Sequence, residues 1–374
     1  MTIASPGAQP APAEGGESKG SVAVERSKEA GVTATRPVAV VTGASAGVGR
    51  ATARELARRG FDVALLARGT AGLAAAAAEV EAEGARALTV AADVASFDDV
   101  DGAADRVERE LGPIEVWVND AMTTVFAPLD DLRPDDFRRA VEVTFLGQVW
   151  GTKAALARMR RRDRGVVVNV GSALAFIGIP LQSAYCASKF ACRGFFEATR
   201  AELLHERSHV RLSMVHLPAV NTPQFEWCRT VFSRHPQPVA PIYQPEVCAR
   251  AIADSCQSAK REKVLGVWNK LLVTVARAAP GLGNQFAALG AWDEQLDFRA
   301  LSPERRDNLY DPADGDHDYG THGSFDGRAK GFLTPSFLVT LPKAGRELVQ
   351  ALASTAREKL AAGRRELVDS TKGA

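Results

Sequence analysis

The chain has 374 residues, with 46 lysines and arginines against 45 aspartates and glutamates, for a formal net charge of +1. That balance carries no basic footprint for nucleic acid. The 46% hydrophobic and 24% charged content is ordinary for a globular protein able to bury a sizeable core. Five cysteines (Cys186, Cys192, Cys228, Cys248 and Cys256), odd in number and without CxxC or zinc-like spacing, argue against a disulfide framework and for a reducing, cytoplasmic setting.

Residues 1–36 are rich in Ala, Gly, Pro, Ser and Glu and contain no apolar stretch of signal-peptide length, so they read as a disordered leader. The pattern changes at Pro37. Val38 to Val41 is a β-branched run that fits a buried strand, and Arg50 to Arg59 a helix ending at Gly60. Strands are expected at Asp62–Leu66, Ala87–Ala91, Ile114–Val118, Val166–Val170 and Val210–Val215, with a last one near Val264–Trp268. Helices are expected at Ala71–Ala82, Phe97–Leu111, Pro134–Met159 and Ser183–His205. This alternation predicts an α/β fold, a doubly wound parallel sheet of the Rossmann type over residues 37–269. Residues 270–374 form a C-terminal extension, in which Arg305–Asp326 reads as surface loop and Arg346–Leu367 as an amphipathic helix. The most apolar stretch, Leu271 to Trp292, is broken by Arg277, Pro280 and three glycines and does not reach bilayer-spanning character.

Thr42-Gly43-Ala44-Ser45-Ala46-Gly47-Val48-Gly49 lies directly between the first strand and its helix. Glycines there allow a tight turn and close approach of a pyrophosphate to backbone N–H groups at a helix N-terminus. The strand–turn–helix context is what raises this above a glycine-rich turn with no ligand. The second strand ends Leu65-Leu66-Ala67-Arg68. A site for NAD would put a carboxylate near Ala67 to accept from the ribose 2′-hydroxyl. Arg68 instead offers a charge-assisted contact to a 2′-phosphate, which favours NADP over NAD.

Tyr185 and Lys189 stand four residues apart on one helix face. A nearby ammonium stabilises a phenolate and lowers a pKa otherwise near 10, which suits the phenol to proton exchange with a substrate oxygen. Ser172 follows the fifth strand, where a hydroxyl points into the ligand crevice of an open sheet and can orient a carbonyl.

From about Pro37 to Val267 the chain resembles the short-chain dehydrogenase/reductase family, on Thr42–Gly49, Asp93-Val94, Asn119-Asp120-Ala121, Val168–Ser172, Tyr185–Lys189 and Pro218–Thr222. The resemblance implies a hydride-transferring enzyme acting on an alcohol or carbonyl. It implies a cofactor site formed by Gly43, Ser45, Gly47, Val48, Gly49, Arg68, Asp93, Val94, Asn119, Ala121, Tyr185, Lys189, Pro218, Val220 and Thr222. Within it, Asp93 and Val94 flank the adenine, Asn119 borders the cofactor and steadies the sheet, and Lys189 reaches the nicotinamide ribose. Val220 and Thr222 flank the carboxamide and pyrophosphate. Three positions depart from the family pattern: Asn119-Asp120-Ala121-Met122 for Asn-Asn-Ala-Gly, Pro218-Ala219 for Pro-Gly, and Thr144 at the fourth catalytic position, usually asparagine. In the family that residue's carbonyl helps hold a relay water. Threonine keeps the carbonyl, and its hydroxyl can bend the helix.

Gln224 to Glu246 corresponds to the family's substrate loop, and Phe225, Trp227, Phe232 and Tyr243 either point to a fairly apolar small-molecule substrate or pack the loop onto the domain. Ala173, Leu174, Phe176, Ile179 and Leu181 are expected to divide between cleft wall and core. A homodimer or homotetramer through the two long helices is the family expectation. Contact of the extension with a membrane surface, through Phe332–Leu341 and the basic helix after Arg346, is the less favoured reading beside a docked, solvated helix. The run of Asp311, Asp314, Asp316, His317, Asp318 and His322 lacks calcium-loop spacing and paired helical histidines and reads as polar loop, with no metal. A non-catalytic redox sensor or scaffold on the same fold is the competing function, against which the complete set of Ser172, Tyr185 and Lys189 argues. Ser172 sits in no GxSxG elbow, which removes a hydrolase.

Overall fold

The computed structural model describes residues 36–333 except 259, 280, 282–284, 286, 289 and 303. Its centre is a sheet of seven strands: β1 (Val38–Thr42), β2 (Asp62–Ala67), β3 (Ala87–Ala91), β4 (Ile114–Asn119), β5 (Val166–Ser172), β6 (Arg211–Leu217) and β7 (Glu262–Val264). Every pairing is parallel, in the order β7-β6-β5-β4-β1-β2-β3. Strands covered on both faces read as unbroken apolar runs rather than as alternation, which is why VAVV was legible as a strand. Ala39 and Val41 face one core and Val38 and Val40 the other.

The first core is closed by α1 (Gly47–Arg58), α2 (Thr70–Ala82) and α7 (Pro245–Gln257), through Leu56, Leu73 and Ile252. The second is closed by α3 (Phe97–Glu110), α5 (Gly147–Arg162) and α6 (Ser183–His205), through Val100, Leu156 and Phe196. The strand order reverses between β1 and β4, so the crevice for a ligand lies at their carboxyl ends.

Three expectations change. The last strand is Glu262–Val264, not Val264–Trp268. Gly266, at φ +81°, turns the chain so that Val267 and Trp268 begin α8 (Val267–Ala278). The helix expected over Pro134–Met159 is α4 (Pro134–Val141) joined to α5 by a π-helical turn at Glu142–Leu146. Arg305–Asp326 is irregular loop, but it is pinned rather than wholly at the surface, with Leu309, Ala313, Asp314, Thr321 and Phe325 buried.

The extension is packed onto the sheet domain. Helix α8 runs through the expected boundary after residue 269, and Leu296–Ala300 pairs antiparallel with Arg234–Pro236. No described helix is long and apolar enough to cross a membrane. The leader up to Thr35, residues 334–341 and the helix expected at Arg346–Leu367 lie outside the described residues.

Candidate active site and cofactor cleft

A cavity of about 360 Å³ opens at the carboxyl ends of β1, β4, β5 and β6. Gly43 and Gly47 line it, both at positive φ (+69° and +56°). A Cβ on Gly43 would lie 2.8 Å from the Cα of Ala121, so the turn fits against β4 only as glycine. Helix α1 begins at Ala46 with no side-chain cap and no acid in its first turn, which leaves its positive end toward the cleft. A glycine cradle at a helix start without a side-chain cap fits a pyrophosphate, which would take over the Gly47 N–H now donated to the Gly320 carbonyl. Ser45, Val48, Val94, Ala121, Pro218, Val220 and Thr222 share this lining.

Gly49 does not line the cleft; a Cβ there would stand 2.2 Å from the carbonyl oxygen of Gly43, so this glycine packs α1 against its own turn. Asn119 is also off the lining. It is 1% exposed, accepts from Trp117 Nε1 at 2.7 Å and donates to Asn169 Oδ1 at 2.8 Å and Thr152 Oγ1 at 3.1 Å. These bonds tie β4 to β5 and α5, and Asn119 does not border the cavity.

Ser172, Tyr185 and Lys189 meet at the floor of the cleft. Ser172 ends β5 and its Oγ accepts from Leu174 N at 3.1 Å. The Tyr185 hydroxyl faces Ser172, near enough for the serine to lower the phenol's pKa. Lys189 is 2% exposed, donates from Nζ to the carbonyl of Val170 at 2.8 Å and lies 5.6 Å from the centroid of the Tyr185 ring. Burial pushes the Tyr185 phenol above its ordinary value, while Lys189 and Ser172 pull it down. The lowering expected from Lys189 alone is thus outweighed by desolvation.

Thr144 is fully buried, in the π-helical turn, and off the cleft lining. Its Oγ1 donates to the carbonyl of Thr123 at 2.8 Å and accepts from Thr123 N at 3.0 Å. Its own carbonyl accepts from Cys192 Sγ at 3.4 Å. Asp120 does line the cavity; burial raises its carboxyl to about 7, with Lys189 pulling it down.

Sequence reading missed His216. It is fully buried in β6, with Nδ1 3.0 Å from the carbonyl oxygen of Ser172 and Nε2 2.8 Å from Glu262 Oε1. A Cβ on Gly171 would lie 2.5 Å from that Nδ1. A lone histidine in an apolar strand carries no sequence signal of a partner on the edge strand.

The larger omission is a strap, residues 308–326, drawn across the cleft. Arg68 donates to the carbonyls of Tyr310 (2.6 Å) and Asn308. Arg139 pairs with Asp93 and donates to the Leu309 carbonyl at 3.0 Å. Gly72 N donates to the Asp314 carbonyl at 3.4 Å, Thr70 Oγ1 to that of Gly315 at 3.1 Å, and Gly47 N to that of Gly320 at 3.2 Å. Arg50, 4% exposed, pairs with Glu79 at 2.8 Å and with Asp318. Asn221 closes the end, its Nδ2 donating to Asp326 Oδ1 at 2.8 Å. Arg68 and Asp93 therefore do line the cleft, but both also anchor the strap or its clamp. Among the described residues no three or more His, Cys, Asp or Glu side chains gather as a metal site, and Asp316 and Asp318 pair with Arg306 and Arg50.

Part of the lining is apolar: Ala173, Leu174, Ile179, Phe225 and Trp227 contribute together with Trp268 and Leu272 of α8, and Phe225 and Trp227 also pack edge-on against Phe325 and Tyr319 of the strap. Phe176, Leu181 and Tyr243 are buried core instead; Phe176 packs its edge on His216, with ring centroids 4.7 Å apart. Phe232 packs beside Phe225 in a separate cluster and is not part of the lining.

The family model for short chain dehydrogenases matches residues 37–229. A protein of Bacillus subtilis (strain 168), the uncharacterized oxidoreductase YxnA, is 32% identical over 287 residues, covering 76% of this chain and 81% of its own. The alcohol dehydrogenase of the archaeon Thermococcus sibiricus, solved with 5-hydroxy-NADP, superposes with a TM-score of 0.53 at 28% identity, over 61% of this chain and 94% of that one. A metagenomic short-chain oxidoreductase solved with NADP gives 0.52 at 27% identity, over 61% and 95%. The matched span holds six of the seven strands, the glycine turn and the Ser172–Tyr185–Lys189 cluster, and the chain belongs to the short-chain dehydrogenase family of oxidoreductases.

Proposed function

We propose that the protein interconverts an alcohol and a carbonyl on a fairly apolar small molecule, with Tyr185 as acid and base. A nicotinamide dinucleotide, when bound, supplies or accepts the hydride. The observation that carries this reading is the meeting of Ser172, Tyr185 and Lys189 on the floor of one cleft with the glycine turn. In the reducing direction Ser172 Oγ holds the carbonyl oxygen, and Tyr185 Oη gives that oxygen its proton as the hydride reaches carbon. Burial keeps the phenol protonated, the state a donor needs, and Lys189 stabilises the phenolate left behind. Thr144, off the lining with its carbonyl accepting from Cys192, is proposed to act by shaping the π-helical turn rather than by touching the substrate. Leu174, Phe225, Trp227 and Trp268 support an apolar substrate.

NADP preference over NAD is supported by Arg68 at the end of β2 and by the ligands of the two solved neighbours. One observation favours the second reading, NAD: the carboxylate of Asp314 stands at the same corner. A homo-oligomer is supported by Phe190 and Leu204, exposed by 46% and 64% on α6. Five buried thiols support a reducing, cytoplasmic setting.

Reduced-cofactor oxidation against a panel of apolar ketones and aldehydes tests the reaction. Wild type turns over at least one of them, and Tyr185→Phe loses on the order of 10²–10⁴ in turnover while still binding cofactor. Tight cofactor binding with no turnover of any carbonyl or alcohol would instead point to a non-catalytic sensor or scaffold.

A further inference from the structure

Asp314 comes from the strap, far along the chain from the strand it meets. It is 7% exposed, and its Oδ2 is buried without a hydrogen-bond partner. The carboxylate lies against the start of α2: a Cβ on Gly69 would be 1.8 Å from Asp314 Oδ1, and one on Gly72 2.6 Å from Oδ2. Both positions are open only because they are glycine. Asp314, Arg68 and Ser45 line the cleft together at the end of β2.

In an open α/β sheet this corner receives the adenosine ribose, and an acid here accepts from the 2′-hydroxyl. Ala67 cannot do so, but Asp314 brings an acid to the same corner from outside the strand. We propose that Asp314 is a specificity-determining residue that accepts a hydrogen bond from the ribose 2′-hydroxyl and disfavours a 2′-phosphate, so that the strapped site prefers NAD to NADP. This rests on the reading that the cleft holds a nicotinamide dinucleotide.

Two features decide against the phosphate. Arg68, its natural partner, already donates to the carbonyls of Asn308 and Tyr310, so a phosphate must break those bonds to engage it. A 2′-phosphate also places a second anion beside a buried carboxylate, where charges interact more strongly than in water. A ribose hydroxyl brings a donor to a cleft-lining carboxylate whose buried oxygen has none.

The test is equilibrium binding of NADH, NADPH and 2′-deoxy-NADH to the full-length protein and to its Asp314→Asn and Asp314→Ala variants. A hydrogen bond to a charged group corresponds to about 10–100-fold in affinity. Wild type is expected to bind NADH about 10-fold or more tighter than NADPH, and to lose about 10-fold toward 2′-deoxy-NADH. Both variants should bring the NADH:NADPH ratio to one or below, and neither should distinguish NADH from its 2′-deoxy form. A variant that merely loosened the strap would weaken all three ligands together and leave the ratio where it was, which overturns the proposal. Tighter binding of NADPH by wild type overturns it as well. Failure of every dinucleotide to bind overturns the cofactor reading itself and takes the proposal with it.

Discussion

Asp120 occupies a position where the family pattern places an uncharged amide, and its surroundings answer by holding the carboxyl neutral up to about pH 7. The unfolded chain ionises the same group near pH 3.8. Between those values only the unfolded state gives up the proton, so this residue costs stability progressively as pH rises from about 4 to about 7 and by a constant amount above. An asparagine has no such dependence. The melting temperature of Asp120→Asn, less that of wild type, is therefore expected to climb by several degrees across that window and then level off. A difference independent of pH would show that the carboxyl is not held neutral. Ser172 rests on a similar local economy: its backbone carbonyl meets His216, whose other nitrogen meets Glu262, and the glycine before it leaves room for the ring.

At the scale of elements, the turn at Glu142–Leu146 is where helical geometry yields to chemistry. A π-turn inserts one residue into the helical ladder and is frequent at functional sites. Here the hydroxyl of Thr144 holds both backbone groups of Thr123, which fixes the loop after β4 to the helix. Thr144→Val leaves those groups without a partner and is expected to cost about 1–3 kcal/mol in denaturant unfolding. Thr144→Asn keeps the carbonyl, and turnover is expected to survive it; total loss would show that threonine is required as such. Strands, helices and the Ser172–Tyr185–Lys189 cluster were readable because their signals are local: β-branched runs, a glycine turn after a strand, a phenol and an ammonium one helical turn apart. The last strand was misplaced because Val264–Trp268 is apolar throughout, and only the positive φ of Gly266 decides where strand ends and helix begins. The strap was not readable, because Asp, Gly and His look like solvent-facing loop until their partners are known. Its ties to Arg50, Arg68, Arg139 and Asn221 join residues far apart in sequence.

Across the whole molecule, the extension turns an open crevice into a roofed one. The roof is held mainly by hydrogen bonds and ion pairs at its rim, with Leu309 and Phe325 as apolar pegs. Such a segment opens more cheaply than the sheet beneath it. Asp318→Asn weakens the tie to Arg50, and the expected consequence is faster cleavage within 302–333 under limited proteolysis while the sheet domain survives. Bound dinucleotide should slow that cleavage in both proteins, because the strap lines the same cavity as the glycine turn. Equal cleavage rates with and without dinucleotide would place the ligand elsewhere. Hydride transfer inside this cleft, with Tyr185 supplying the proton, is the step on which the proposed function stands. It is tested most directly by following label from reduced cofactor deuterated at the transferring position of the nicotinamide into the alcohol formed from an apolar ketone, read by mass spectrometry. Wild type is expected to place one deuterium on the carbinol carbon, and Tyr185→Phe to form about 10²–10⁴-fold less labelled product in the same time; label appearing at equal rates with both proteins would refute it.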